Sequence, residues 1–386
     1  MIHIDSPFDC CGCTACASIC NHNAIDMVPD TMGFLYPSVN QDKCVQCGLC
    51  DTVCQFNDNY DKSLNLDYPL AFAARHKDMN EIMKSRSGAV FEALSSLILE
   101  QGGVVYGAGY RDHFRIVHKR ATTKEERDEF RGSKYVQSDM TDVFRQVKTD
   151  LREGLTVLFS GTPCQTSGLH SFVGKNLRKN LVLIDIVCHG VASPYAWRDY
   201  LAYLEKKYKS RITYVNFRDK ELYGWKDQKE TFRFENGGGK KSFLFLFYQN
   251  IYFRYSCSKC HFTNFKRPSD ITLADYWGWE RINSTFNADD KGCSLVLCNT
   301  TKGIQLFDQV KNELNTIQVE LEQATQTHLR EPSIINPNRK SFEDFYSIYG
   351  LELSLRHFGL IGWRYWYYRV RNKIIRTIRL YKGRRL

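Results

Sequence analysis

Short apolar runs bounded by glycine or polar residues recur through the middle of the chain. Gly88 to Leu99 (GAVFEALSSLIL) carries apolar residues at helical spacing, and Gly102-Gly103 interrupts it before Val104-Val105-Tyr106. That order predicts a helix followed by a strand. Thr156 to Ser160 (TVLFS) and Leu181 to Val187 (LVLIDIV) are β-branched and flanked by turn formers, so both predict strands. Strand and helix alternation from about Tyr68 to Arg330 predicts an α/β core. Thr213 to Asp219 and Glu230 to Phe247, with Gly237-Gly238-Gly239 as a turn, predict antiparallel strands and hence a mixed sheet. The most apolar stretch, near Phe243 to Phe253, is interrupted by Gln249 and Asn250 and falls short of the roughly eighteen residues a membrane span needs. It is assigned to the core.

Two zones outside this core follow other rules. Residues 1 to about 60 are rich in cysteine and turn residues, as in a fold organised by cofactors more than by an apolar core. Asp58 to Asp67 (DNYDKSLNLD) is polar and aperiodic and reads as a linker. From about Ser341, aromatic and basic residues recur at helical intervals, with Trp363, Trp366, Tyr367, Val370, Ile374, Ile375 and Ile378 on one face. The expected fold is α+β, with a small head at 1–60, a mixed-sheet α/β body at 68–330 in two parts (68–150 and 151–330) and a basic amphipathic helical tail at 341–386.

With 386 residues, 43% hydrophobic and 25% charged, the chain has the composition of an ordinary globular protein of two or three domains. Its charge of +10 is local. Ten Lys/Arg and no acid lie between Arg356 and Leu386, leaving 43 basic against 43 acidic residues elsewhere. Such a tail suits an anionic membrane surface, or equally a terminal helix packed on the body or on a partner; nucleic acid is not the expected partner. The fifteen cysteines are unevenly placed: nine lie between Cys10 and Cys54, and six between Cys164 and Cys298. An odd count and a start without a secretory signal point to metal ligation in a reducing, cytoplasmic compartment, peripheral to the inner face of the membrane if the tail binds lipid.

The head contains an internal repeat. Cys10, Cys13, Cys16 and Cys20 are spaced C-x2-C-x2-C-x3-C, and Cys44, Cys47, Cys50 and Cys54 repeat that spacing. In the bacterial two-cluster ferredoxin arrangement the fourth cysteine of each run crosses to the other cluster. Cys10, Cys13, Cys16 and Cys54 are therefore assigned to one 4Fe-4S cluster, and Cys44, Cys47, Cys50 and Cys20 to the other. Gly12 and Gly48 leave room for backbone amides near the sulfides. Asn21 and Gln55 stand where a proline usually follows the fourth cysteine. Paired C-x2-C elements also build zinc ribbons, but two full four-cysteine runs favour clusters. Cys11 is surplus and reads as a small packing residue.

Four later segments, Ser133 to Ser138 (SKYVQS), Ser160 to Leu169 (SGTPCQTSGL), Asp185 to Pro194 (DIVCHGVASP) and Cys257 to Trp277 (CSKCHFTNFKRPSDITLADYW), occur in an order that resembles the beta subunit family of coenzyme F420 hydrogenases and dehydrogenases. The resemblance spans roughly residues 1 to 330 and includes bacterial members with a fused ferredoxin head. It implies an FAD-binding domain that passes electrons between a hydride carrier, often a 5-deazaflavin, and iron-sulfur clusters. It also points to a third cluster near the flavin, with Cys164, Cys188, Cys257 and Cys260 as its ligand set. Cys293 and Cys298, in an apolar run, read as packing residues.

For the flavin, the candidates are Ser87 and Gly88 at a helix start, Ser133 and Lys134, and Ser160, Gly161 and Thr162 after a strand, where a helix N-terminus offers amides to a diphosphate. The family pattern SGG is Ser87-Gly88-Ala89 here. Lys134 would set a positive charge near the flavin N1, or stand as a solvated lysine. His189 reads as a structural histidine, and Asp270, Asp275 and Trp277 are given no chemistry. The expected function is an FAD- and 4Fe-4S-dependent oxidoreductase, served by a redox partner protein or a small hydride carrier, with no catalytic residue assigned. The alternative is a non-catalytic electron carrier or accessory protein; bacterial proteins of this kind often serve surface-polysaccharide pathways.

Overall fold

The computed structural model describes residues 1–58, 67–239, 243–363 and 365–367. Most of the expected linker, residues 59–66, lies outside that set.

The head is built on two short helices, Ala15–Ile19 and Leu49–Thr52, and an antiparallel hairpin, β1 (Ile25–Pro29) with β2 (Leu35–Val39). Its own apolar core is small, with Ile2, Cys16, Ile25 and Cys50 at its centre. A core that size does not hold a domain of this length together unaided. The loops carrying the cysteines turn sharply at Gly12 (φ 68°) and Gly48 (φ 75°), both in the left-handed region where a glycine adds no Cβ strain.

The body contains β3 (Leu70–His76), β4 (Val104–Arg111), β5 (Arg115–Ala121), β6 (Val157–Gly161), β7 (Leu181–Ile186), β8 (Ile212–Asn216), β9 (Thr231–Phe234), β10 (Gly237–Gly239), β11 (Ile271–Asp275), β12 (Ser294–Cys298) and β13 (Leu314–Val319). Eight of them form one sheet in the order β13-β3-β12-β11-β7-β6-β4-β5. The centre, β11-β7-β6-β4, is parallel, and the flanking strands are antiparallel. Both faces are covered. Leu158, Val182 and Ile184 point to one side, against Leu94 of helix Val90–Glu100 and Phe307 of helix Thr301–Val310. Val157, Phe159, Leu181 and Leu183 point to the other, against Phe144 of helix Val143–Arg152 and Leu169 of helix Pro163–Val173. Burial on both faces explains why TVLFS and LVLIDIV read as near-continuous apolar runs. The head docks on this second side, where Ala15 and Val53 join the same apolar cluster.

The expected antiparallel strands at Thr213 to Asp219 and Glu230 to Phe247 form a separate three-stranded sheet, β10-β9-β8. The chain turns at Glu235 and Asn236, and Gly237–Gly239 is itself a strand. Phe243–Phe247 is a helix rather than a strand. A run apolar at every position carries no period, so burial on all sides decides its conformation. Phe243, Leu244, Leu246 and Phe247 are buried with Trp197 and Tyr200 of helix Pro194–Tyr208.

The zone expected as a tail divides in two. Helix Arg339–His357, broken at Gly350 (φ 72°), belongs to the body: Phe342 and Leu355 are fully buried, and the Tyr346 hydroxyl donates to Asp199 at 2.6 Å. Trp363, Trp366 and Tyr367 are exposed, while residues 368–386, with Val370, Ile374, Ile375 and Ile378, lie outside the described residues. Among the described residues no helix is long and apolar enough to cross a membrane.

Candidate functional site

In the head, Cys44, Cys47 and Cys50 line one pocket together with Cys20 from the other run, closed by Gly48 and Met1. The pocket thus brings one cysteine of the first run to three of the second. Backbone amides point at the sulfurs: Ile2 N–H donates to Cys50 Sγ at 3.2 Å, and Ala24 N–H to Cys20 Sγ at 3.4 Å. Cys10 receives the Gly12 N–H at 3.4 Å. Burial, then the neighbouring thiols of Cys10 and Cys54, push the Cys16 thiol up, and burial with Cys10 does the same to Cys54. Cys54 thus lies near Cys10 and Cys16 of the first run. Cys13, of the same run, is packed against Gly168 in helix Pro163–Val173, where a Cβ would come within 2.8 Å of Cys13 Sγ, and lies close to Cys11.

Cys164, Cys188, Cys257 and Cys260 line a third pocket. They reach it from different elements. Cys164 lies in the first turn of helix Pro163–Val173, which begins as β6 ends and is held by a capping box from Thr162 to Gln165. Cys188 follows β7. Cys257 and Cys260 belong to the 3-10 turn Tyr255–Lys259 and its end. Removal from water, followed by mutual repulsion, pushes Cys188 well up and Cys260 to about 11; Cys257 stands at about 12, chiefly through burial. Four cysteines brought to one pocket are a donor set that fits an iron-sulfur site. Cys11 lines the same pocket and engages both Cys13 and Cys164. The Gln55 amide donates to Cys11 Sγ at 2.6 Å and to the Cys164 carbonyl at 3.1 Å. Cys11 is therefore no spare residue but the join between head and third pocket. Cys293 and Cys298 are buried away from these groups, in the sheet.

Next to the third pocket, at the carboxyl ends of the parallel strands, lies a buried basic cluster. Asp275 ends β11 and receives the Trp225 indole N–H at 3.0 Å and an Arg218 Nη1 bond; the same Nη1 donates to the Tyr135 hydroxyl at 3.1 Å. Arg86 donates to the carbonyls of Arg218 (3.0 Å) and Trp225 (2.9 Å), and Lys220 to that of Ser87 (3.2 Å). Burial opposes the Asp275 charge, but Arg218 and Arg86 hold its carboxyl below the ordinary range. Burial and then Arg218 bring Arg86 down to about 10, and burial and then Arg86 bring Lys220 down to about 7. Two guanidinium groups face one carboxylate with Lys220 beside them, and among the described residues Arg86 Nε and Arg218 Nε and Nη2 are buried without a partner. Such donors fit an anionic group. Trp277, half-exposed and stacked on Trp225 at 4.6 Å, covers Arg218. His189, beside Cys188, bonds His328 at 2.7 Å and Asn250 at 3.1 Å, and its ring lies 5.5 Å from Tyr248. Burial and His328 keep it neutral, at about 4.

The flavin candidates fall into three places. Ser87 and Gly88 lie beside the basic cluster, but the Gly88 N–H is taken by Ser294 Oγ at 2.9 Å and the Ser87 hydroxyl by the Cys293 carbonyl at 2.7 Å. A Cβ on Gly88 would sit 2.3 Å from the Ala74 carbonyl, so glycine there serves chain packing. Ser133 is exposed, and Lys134 donates to the Glu129 carbonyl, with burial lowering it to about 7. Only its neighbour Tyr135 reaches the basic cluster. Ser160 accepts from His118 through its carbonyl (3.0 Å), while Gly161 and Thr162 lead into the third pocket, with the Thr162 N–H bonded to Gln165 at 3.0 Å. Arg86, Arg218 and Lys220 carried no sequence signal; Tyr135 and Asp275 stood inside quoted motifs.

Residues 154–324 match the family described as the C terminus of the coenzyme F420 hydrogenase/dehydrogenase beta subunit, and residues 9–57 match the 4Fe-4S dicluster domain. The dicluster head and beta-subunit region make the chain an iron-sulfur protein of oxidoreductase type. A chain of the F420-reducing [NiFe] hydrogenase complex from Methanosarcina barkeri is similar in structure at 16% identity, with a TM-score of 0.46, covering 76% of this chain and 92% of that one. No curated protein matches.

Proposed function

We propose that the chain transfers electrons between a hydride carrier and a redox partner, through FAD at the basic cluster and three 4Fe-4S clusters. The convergence of Cys164, Cys188, Cys257 and Cys260 on one pocket, between the ferredoxin head and the basic cluster, carries this reading. FAD accepts a hydride in one step and gives up electrons singly, which clusters require. Arg86, Arg218 and Lys220 would bind its phosphates and favour a reduced, anionic flavin. Asp275 fixes Arg218 in place. Trp277 and Trp225 form an aromatic wall, and the neutral His189–His328 pair links the third pocket to Tyr248. The half-exposed Cys44/Cys47 side of the head faces outward and is where a partner protein exchanges electrons.

The thiol content suits a cytoplasmic location, and the basic tail suits contact with anionic lipid as well as packing on the body or a partner. Anaerobic purification tests the central reading: about twelve irons per chain and a flavin spectrum are expected. About eight irons and no flavin would leave only the ferredoxin head and favour a simple carrier.

A further inference from the structure

Arg254 has a backbone in the third pocket and a side chain in the head. Its N–H donates to the Val191 carbonyl at 3.1 Å, and its carbonyl accepts from the Cys257 N–H at 3.1 Å, so its position is tied to that of a thiol of the third pocket. The side chain, 1% exposed, crosses to the first cysteine run. Nε donates to the Cys10 carbonyl at 2.8 Å, Nη2 to the Leu35 carbonyl at 2.9 Å, and Nη1 to Gln137 Oε1 at 3.0 Å, while Nη2 also lies 3.6 Å from Cys10 Sγ. Gln137 in turn donates to the Cys11 carbonyl at 2.9 Å. The guanidinium lies 4.3 Å from the centre of the Tyr36 ring. Gly12 makes room for it, since a Cβ there would sit 2.8 Å from Nη1.

A buried guanidinium demands a counter-charge. Among the described residues no carboxylate lies within ion-pairing distance of Arg254; Asp30 acts on it only from farther off. The group in direct contact is the Cys10 sulfur, with Cys11 and Cys257 close by, so the counter-charge would be a cluster's thiolate ligand.

We propose that Arg254 is a positioning residue serving two clusters at once: it fixes the first cluster of the head relative to the third and raises the reduction potential of the cluster held by Cys10. Adding one electron makes that cluster more negative, and a fixed cation hydrogen-bonded at a ligand sulfur favours the more negative state. The first cluster is thereby set as the acceptor for electrons leaving the third pocket. This rests on the cluster assignment above, though its effect on the Cys10 cluster does not depend on a third cluster.

The test is an EPR-monitored redox titration of the full, anaerobically purified chain as wild type, Arg254→Gln and Arg254→Lys. Arg254→Gln should lower the midpoint potential of one cluster, with the outer Cys44/Cys47/Cys50/Cys20 cluster unmoved. Arg254→Lys keeps the charge but withdraws it from Cys10, and should lower the same potential by less. Either variant with full iron and wild-type potentials overturns the proposal. So does loss of iron from the outer site in both, which would mark the residue as structural alone. Wild type with about eight irons would fail the third-cluster reading while leaving this measurement intact.

Discussion

Gly168 sits inside helix Pro163–Val173, where propensity alone favours alanine by about 0.5–1 kcal/mol. The geometry predicts the opposite sign. A Cβ would stand 2.8 Å from Cys13 Sγ, 3.0 Å from Cys13 Cβ and 3.4 Å from Phe144 Cε2, against a comfortable separation of about 3.5–4 Å. Relief is scarce, because Cys13 is a short side chain on a loop turned by Gly12, and Phe144 is fully buried. Overpacking of this kind costs roughly 1–3 kcal/mol, so Gly168→Ala should be destabilised by about 1–2 kcal/mol after the helix gain is subtracted. With Cys13 displaced, the first cluster should also be disturbed. Denaturant unfolding under anaerobic conditions, with iron and labile sulfide counted per chain, checks both. A variant more stable than wild type with full iron would refute the packing of the head on this helix.

Glu230 is buried and accepts from the Phe243 N–H at 2.5 Å, and burial raises its carboxyl from 4.5 to about 7. A raised folded value means that its contribution is intact below about pH 4.5 and declines up to about pH 7, where ionisation costs roughly 3 kcal/mol. Glu230→Gln should flatten the pH dependence of unfolding across that window; parallel curves would contradict it. Cys257→Ser should remove about four of twelve irons while Cys298→Ser removes none, by iron assay. Truncation after Gly362, which spares buried Leu355 and Leu360, should abolish salt-sensitive binding to anionic vesicles without shifting the melting temperature; retained binding would assign the tail another role.

The two ferredoxin runs and the Cys257/Cys260 pair stand out in the sequence because their spacing is local, whereas Cys164 and Cys188 were joined to that pair only through the family resemblance. TVLFS and LVLIDIV were legible as strands because β6 and β7 are buried on both faces. Phe243–Phe247 was not, since an unbroken apolar run has no phase. Nor were the joins between parts. Gln55 meets a carbonyl 109 residues away, and Arg254 meets Cys10 across 244. A lone amide or guanidinium of that kind leaves no pattern in its own neighbourhood. Arg86, Arg218 and Asp275 come from three separate segments, after helix Met79–Lys84, after β8 of the small sheet and at the end of β11, and become a site only when these meet.

The position of β3 governs how the protein can be made. It is the first strand of the body to leave the ribosome, yet both of its neighbours, β12 and β13, are among the last. During synthesis β3 must wait, unpaired, for more than half the chain, and the third thiol pocket is likewise incomplete until Cys260 emerges. The head needs nothing beyond Cys54 for its own ligands. Maturation therefore separates in time: iron can be loaded at the amino end while the nascent body still exposes a bare strand to chaperones, and the late closure of the sheet is the step at which slow folding and aggregation compete.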